Sequence, residues 1–207
     1  YYNQTEFWRG ALGHCLKKDG TVCHVVKKGQ RCVAAASNDT AAAVIALGGE
    51  LSVAGAEGAR TIRAADFYTS DGLRNTTLRP GEILTSVTIP LRPGSSSAYE
   101  KLRRRGAIDF PLLSIAACVT REGERVSGLS LVVSALAAKP RTIARADTLA
   151  RGKAPIDVPV TEIAEAARGE CTPLTNLEGD AAWRKDMVAV RVRRVLVRAG
   201  LSGADPA

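Results

Sequence analysis

One stretch, Arg-Pro-Gly-Ser-Ser-Ser at 92–97, separates two differently patterned halves and constrains the fold more than any other feature. Pro and Gly interrupt regular structure and a serine run favours an exposed linker, so two units are expected, 1–92 and 97–207. Beyond the break, 98–105, 111–121 and 126–136 read as three strands, the last two joined by a turn at Glu122, Gly123 and Glu124. Three helical patterns follow at 139–153, 160–168 and 180–198. The last carries Val188, Val192, Val195, Leu196 and Ala199 on one face. Strands followed by helices predict an α+β unit whose helices pack on the strands of their own half.

The first half opens with Phe7, Trp8, Ala11, Leu12 and Cys15 at helical spacing over 5–17, with Thr5 as N-cap. Phe7 and Trp8 are expected to pack on the rest of the fold. Ser37, Asn38 and Asp39 mark a second helix start, closed by Gly48 and Gly49. Strands at 50–55 and 60–64 flank a turn at Glu57 and Gly58 and read as a hairpin. After a loop over 65–81 comes a strand at 82–91, in which Leu84 projects from the opposite face to Ile83 and Val87.

Charge and motif content narrow the function classes. The formal charge is +8, which makes nucleic acid a candidate partner. Aromatics are only 4%, and no nucleic-acid-binding signature accompanies the charge, so no nucleic-acid partner is expected. The apolar runs fall far short of the roughly 20 residues a membrane helix needs, so no membrane partner is expected either. Two histidines, both beside cysteines, leave a hydrolase little from which to draw its base. Five cysteines, an odd number without a secretory signal, point to a reducing, cytoplasmic setting. The chain begins with Tyr1 and no Met, and is read as a fragment of a longer polypeptide.

Three of the cysteines, Cys15, Cys23 and Cys32, fall in a Lys- and Gly-rich loop at about 14–33 with little apolar surface to bury. Something other than a core must hold such a loop, and thiolates around zinc or iron are the usual means. Free thiols, a Cys3His zinc site completed by His14 or His24, and an iron–sulfur cluster needing a fourth ligand all remain open. A cluster would require the loop to fold back on itself, with Gly20 and Gly29 at the reversals, and the three sulfurs to converge on one volume open toward Tyr1. Cys118, in an apolar strand, reads as a core residue, and Cys171 as a loop residue.

The succession of segments carries a resemblance. SNDTAAAVIALGGELSVAG, ADFYTSDGLRNTTLRPGEILTSVTIP, AYEKLRRRGAIDFPLLSIAA and KPRTIARADTLARG, from about residue 33 onward, resemble the FAD-binding (medium) subunit of the molybdenum hydroxylases. The cysteine loop looks like that of the 4-hydroxybenzoyl-CoA reductase β subunit, which carries an additional [4Fe-4S] cluster there. The resemblance implies the C-terminal part of a PCMH-type FAD-binding domain with an iron–sulfur loop insertion. A CO dehydrogenase flavoprotein C-terminal-like domain follows, with a three-stranded antiparallel sheet and a helical bundle in two layers.

The same resemblance implies Asp39, Leu84 and Lys101 as FAD contacts and Cys15, Cys23 and Cys32 as cluster ligands, with the fourth ligand upstream of residue 1. A second role for Asp39 is plain N-capping. No catalytic residue is implied in this chain. The implied function is electron transfer from a low-potential donor such as ferredoxin, through [4Fe-4S] and FAD. From there electrons would pass to a small [2Fe-2S] subunit and a large subunit with a molybdenum cofactor, where the aromatic thioester is reduced. Lys17, Lys18, Lys27, Lys28 and Arg31 would favour a reduced cluster and could face an acidic ferredoxin. The alternatives are a xanthine/CO dehydrogenase-type flavoprotein subunit acting on a purine or other heterocycle with NAD as acceptor, and a zinc-stabilised binding module.

Overall fold

The computed structural model describes residues 5–177 and 179–202. The first half contains α1 (Glu6–Leu12), α2 (Ala41–Ala46), β1 (Glu50–Gly55), β2 (Gly58–Arg63), α3 (Ala64–Phe67) and β3 (Ile83–Thr88). The hairpin forms as expected, with Glu50 opposite Arg63 and Gly55 opposite Gly58. β1 is the central strand of an antiparallel sheet ordered β2-β1-β3, with a bulge at Ser52 and Val53. Every residue of β3 is exposed, so the alternation read from its sequence is not expressed as burial. β3 is an edge strand with neither face covered among the described residues.

The second half contains β4 (Ser95–Leu102), β5 (Leu113–Glu122), β6 (Arg125–Ser134), β7 (Arg141–Thr142), α4 (Ala144–Ala150), α5 (Val160–Glu170) and α6 (Ala181–Arg198). β4, β5 and β6 form the expected three antiparallel strands, and the two residues of β7 extend the sheet at the β6 edge. The expected helix at 139–153 is therefore shorter, because Arg141 and Thr142 pair with Val133 and Val132 instead. β4 pairs with β5 and with no strand of the first sheet, and it starts inside the serine run. Asp180 caps α6 by accepting from the Trp183 amide at 2.7 Å. Val188, Val192, Val195, Leu196 and Ala199 are buried, as their spacing predicts.

Two apolar cores use opposite faces of this sheet. Ile115, Ala117, Val119, Leu129, Leu131 and Val133 meet α4, α5 and α6. Ala116, Cys118 and Val132 meet Ala42, Ile45, Leu51, Ile62 and Phe67 of the first half. The second unit has the expected two layers, its sheet and its own helices, and α2 of the first half covers the other face of that sheet. The physical reason is visible in β5: an unbroken apolar run fits a strand buried on both faces, whereas a half-solvated one alternates. Each fully buried Leu, Ile or Val contributes about 1.5–3 kcal/mol, so the shared core ties the halves together. One half-buried pair joins the helix side, where Arg191 of α6 donates to Glu100 of β4.

α1 departs most from expectation. Thr5 accepts from the Trp8 amide at 3.2 Å, as an N-cap should, yet the helix buries no residue. Phe7 is 85% and Trp8 48% exposed, so neither packs on the described fold.

Candidate functional site: a polar cleft and a cysteine cavity

Two concave features adjoin the segment that joins the cysteine loop to α2. The larger, of about 400 Å³, is lined by Ser37, Asp39, Lys101, Arg103, Ile108, Asp109 and Phe110. This lies within the size range of small-molecule and cofactor sites. Asp39 precedes Thr40, the N-cap of α2, and its side chain does not cap the helix. It accepts instead from Lys101 Nζ at 2.8 Å, with the Lys101 side chain 12% exposed and that of Asp39 55% exposed. N-capping by Asp39 is thereby replaced by an ion pair that bridges the two halves. Leu84, on exposed β3, does not line this cleft.

The cleft's outer wall is a tight loop after β4. Asp109 Oδ2 accepts from the amides of Arg104 at 2.8 Å and Arg105 at 3.1 Å, and these backbone bonds hold its carboxyl below the usual carboxylate range. The loop places Ile108 at φ +48°, which is strained for a β-branched residue, and leaves Ile108 92% exposed beside half-exposed Phe110. Apolar side chains held out at the mouth of a polar cleft suit a ligand with an aromatic ring and polar edges. Burial, and then the charge of Asp39, push the neighbouring Tyr99 phenol upward. Arg103, Ile108, Asp109 and Phe110 lie inside the segment AYEKLRRRGAIDFPLLSIAA that carries the resemblance, but only Lys101 of that segment is singled out for the site.

The smaller cavity, of about 40 Å³, is lined by all three loop cysteines with His24, Lys17 and Asn176 among the others. Cys15 and Cys32 are buried and Cys23 is half-buried. The loop folds back as expected: Leu16 N donates to Val22 O at 2.8 Å, and Gly20 N to Cys15 O at 3.1 Å. A Cβ on Gly20 would lie 1.9 Å from the His14 carbonyl oxygen, so only glycine permits this reversal. Cys23 Sγ accepts from the Val26 amide at 3.3 Å. Cys32 is fixed through its own backbone, its amide donating to Asp71 Oδ1 at 3.3 Å and its carbonyl accepting from Gly72 N at 2.8 Å. A Cβ on Gly72 would stand 3.0 Å from Cys32 Sγ.

The thiols share a cavity without forming a ligand cluster. Among the described residues, no three His, Cys, Asp or Glu side chains are grouped closely enough to hold a metal ion. His24 Nε2 donates to Gly13 O at 2.8 Å and His14 Nε2 stands 3.2 Å from Glu6, and among the described residues neither imidazole joins the thiols in a group that could hold zinc. In kind, the residues fit a thiolate-bound group: three sulfurs on one cavity, an amide on one sulfur and a glycine cradle at another. The expected opening toward Tyr1, and a fourth ligand before it, lie outside the described residues. Cys118 and Cys171 line neither feature and are buried, and burial lifts the Cys171 thiol to about 12.

Asp71, Gly72 and Asn176 are absent from the sequence-based list. Asp71 and Gly72 lie inside the segment ADFYTSDGLRNTTLRPGEILTSVTIP without a local sign that they reach the cysteine loop, and Asn176 comes from the far half of the chain. No helix among the described residues is long and apolar enough to cross a membrane.

Comparison with known proteins places this architecture. Residues 13–92 match the FAD binding domain in molybdopterin dehydrogenase, and residues 97–199 match the CO dehydrogenase flavoprotein C-terminal domain. The chain is 34% identical over 164 residues to the carbon monoxide dehydrogenase medium chain of Afipia carboxidovorans, covering 78% of this chain and 56% of that protein. It is 29% identical over 157 residues to the nicotine 6-hydroxylase medium subunit of Paenarthrobacter nicotinovorans, covering 76% and 54%. The carbon monoxide dehydrogenase structure from Hydrogenophaga pseudoflava superposes with a TM-score of 0.73 at 28% identity, covering 83% of this chain and 59% of that one. The chain spans a little over half the length of the curated relatives it matches. With both halves matched in order, the chain belongs to the family of FAD-binding medium subunits of the molybdenum hydroxylases.

Proposed function

We propose that this chain is part of the flavin-carrying electron-transfer subunit of a molybdenum hydroxylase-type complex, with a second, iron–sulfur centre in its cysteine loop. The observation that carries this reading is the pairing of two unlike cavities, a cofactor-sized polar cleft and a small thiol-lined one, at either end of one short segment, residues 32–39. When bound, FAD and an iron–sulfur cluster supply two- and one-electron transfer, and the protein sets their position and potential. Ser37, Asp39 and Lys101 offer polar contacts to a flavin, with Ile108 and Phe110 against its apolar surface. Leu84, exposed on β3 and away from the cleft, is retained as a flavin contact on the family resemblance alone. Cys15, Cys23 and Cys32 would hold the iron.

The finer reading is a complex like 4-hydroxybenzoyl-CoA reductase. Its electrons would come from a low-potential donor such as ferredoxin. They would leave toward a small [2Fe-2S] subunit and a large molybdenum-binding subunit where the substrate reacts. The basic rim supports an acidic donor: Lys27, Lys28 and Arg31 are exposed beside the cysteines. A second reading, a xanthine/CO dehydrogenase-type flavoprotein without the extra cluster, is favoured by the likeness to carbon monoxide dehydrogenase medium chains.

The test is iron, acid-labile sulfide, zinc and flavin analysis of the full-length protein purified without oxygen. Iron and sulfide with flavin support the first reading, and flavin without iron supports the second. Zinc without flavin overturns both.

A further inference from the structure

The iron–sulfur reading leaves one residue of the second half without a role. Asn176 lies between α5 and α6, is 3% exposed, and lines the cysteine cavity. Its Nδ2 donates to the Val33 carbonyl at 2.6 Å, across 143 residues of sequence. Its Oδ1 is buried with no hydrogen-bond partner among the described residues. Turning the amide over would set that oxygen against the Val33 carbonyl oxygen, so the orientation is fixed by the one bond it makes. A buried carboxamide that satisfies only its donor end contributes little to stability, which points away from a purely structural role.

The bond reaches the residue directly after Cys32. Cys32 is already held by Asp71 and Gly72, both from its own half. Asn176 is the tether from the other half nearest Cys32, with Ala36 N bonded to Ala137 O at 2.9 Å farther along the segment, and its own loop is secured where fully buried Arg184 of α6 donates to the Leu174 carbonyl. The chain of contacts runs from the α6 core through Leu174 and Asn176 to Val33 and Cys32. The position of one sulfur therefore depends on the docking of the second unit.

We propose that Asn176 is a positioning residue for the cysteine site, holding Cys32 in place from the C-terminal unit and so coupling that unit to the bound iron–sulfur group. This rests on the iron–sulfur reading above. Residues that orient metal ligands typically change metal affinity by about 10- to 100-fold when replaced.

The experiment uses the full-length protein in its complex and compares Asn176→Asp, which keeps the shape but loses the donor, with Asn176→Ser, which keeps a donor. In Asn176→Asp, iron should be lost to a chelator about tenfold or more faster than in the parent, by the same outer-shell reasoning. The reduction midpoint and the electron paramagnetic resonance signal should shift, with flavin content unchanged. Asn176→Ser should lie nearer the parent. Iron in the parent, with unchanged chelation and resonance signal in both variants, would overturn the role of Asn176 while leaving the iron reading intact. A lowered melting temperature with unchanged iron behaviour would also overturn it, since that is what a structural asparagine gives. A parent without iron overturns both.

Discussion

Replacing Gly72 with Ala tests the cradle beneath Cys32. The added methyl would stand 3.0 Å from Cys32 Sγ, from Ala34 Cβ and from the Ala34 backbone nitrogen. The loop cannot simply back away, because Gly72 N donates to Cys32 O at 2.8 Å and Gly72 O accepts from Lys17 at 3.3 Å. Overpacking of this kind costs about 1–3 kcal/mol. Alanine also lowers the entropy of the unfolded chain, which returns about 0.4–1 kcal/mol. The packing term wins. The difference of the two ranges is about 0–2.6 kcal/mol, and its midpoint of about 1.3 kcal/mol corresponds to a melting temperature about 3–5 °C lower for a chain of this size. Thermal melting followed by circular dichroism reads the stability, and the rate of Cys32 labelling by a thiol reagent reads the local displacement. Cys32 is 7% exposed, so labelling of the metal-free protein should be slow in the parent and faster in the variant. A melting temperature unchanged or raised, with unchanged labelling, would refute the reasoning.

Three further outcomes are expected. Lys101→Met should change stability by no more than about 1 kcal/mol, because Asp39 is largely solvated, but should weaken FAD binding by the full-length apoprotein about tenfold, or about 1.4 kcal/mol; an unchanged fluorescence titration would argue against the cleft. The Arg60 guanidinium bonded to Glu82, with the Arg79 amide, pulls the Glu82 carboxyl from its ordinary 4.5 to about 2. A depressed folded-state value stabilises above the unfolded one, so this contribution should be complete above pH 4.5 and fade as pH falls toward about 2, and Glu82→Gln should flatten that part of the pH–melting curve. Alkylation of the native, metal-free protein at about pH 8 should modify half-buried Cys23 first. Cys171, whose thiol burial lifts to about 12, should react only on unfolding, and mass mapping that shows early Cys171 modification would contradict the packing.

Elements whose partners are close in sequence were legible without a structure. The β1–β2 hairpin follows from local alternation and a two-residue turn, and α6 from a heptad-like apolar face with Asp180 before it, since both patterns are written into neighbouring residues. The glycine-assisted fold-back of the cysteine loop was equally local. Only the tertiary structure decided what lay between distant segments. Asp39 has the form of a helix cap, yet a lysine 62 residues away takes its carboxylate. Phe7 and Trp8 have the spacing of a packed face, yet nothing described in the fold comes to cover them. The apolar run of β5 left open which side would meet which neighbour, and α2 of the first half took the face opposite its own helices. Asn176 carries no local signal because its meaning lies in a carbonyl 143 residues away. Spacing along the chain reports the period of a helix or strand, but the identity of a partner across the fold depends on how whole elements dock, and that free energy is spread over many residues.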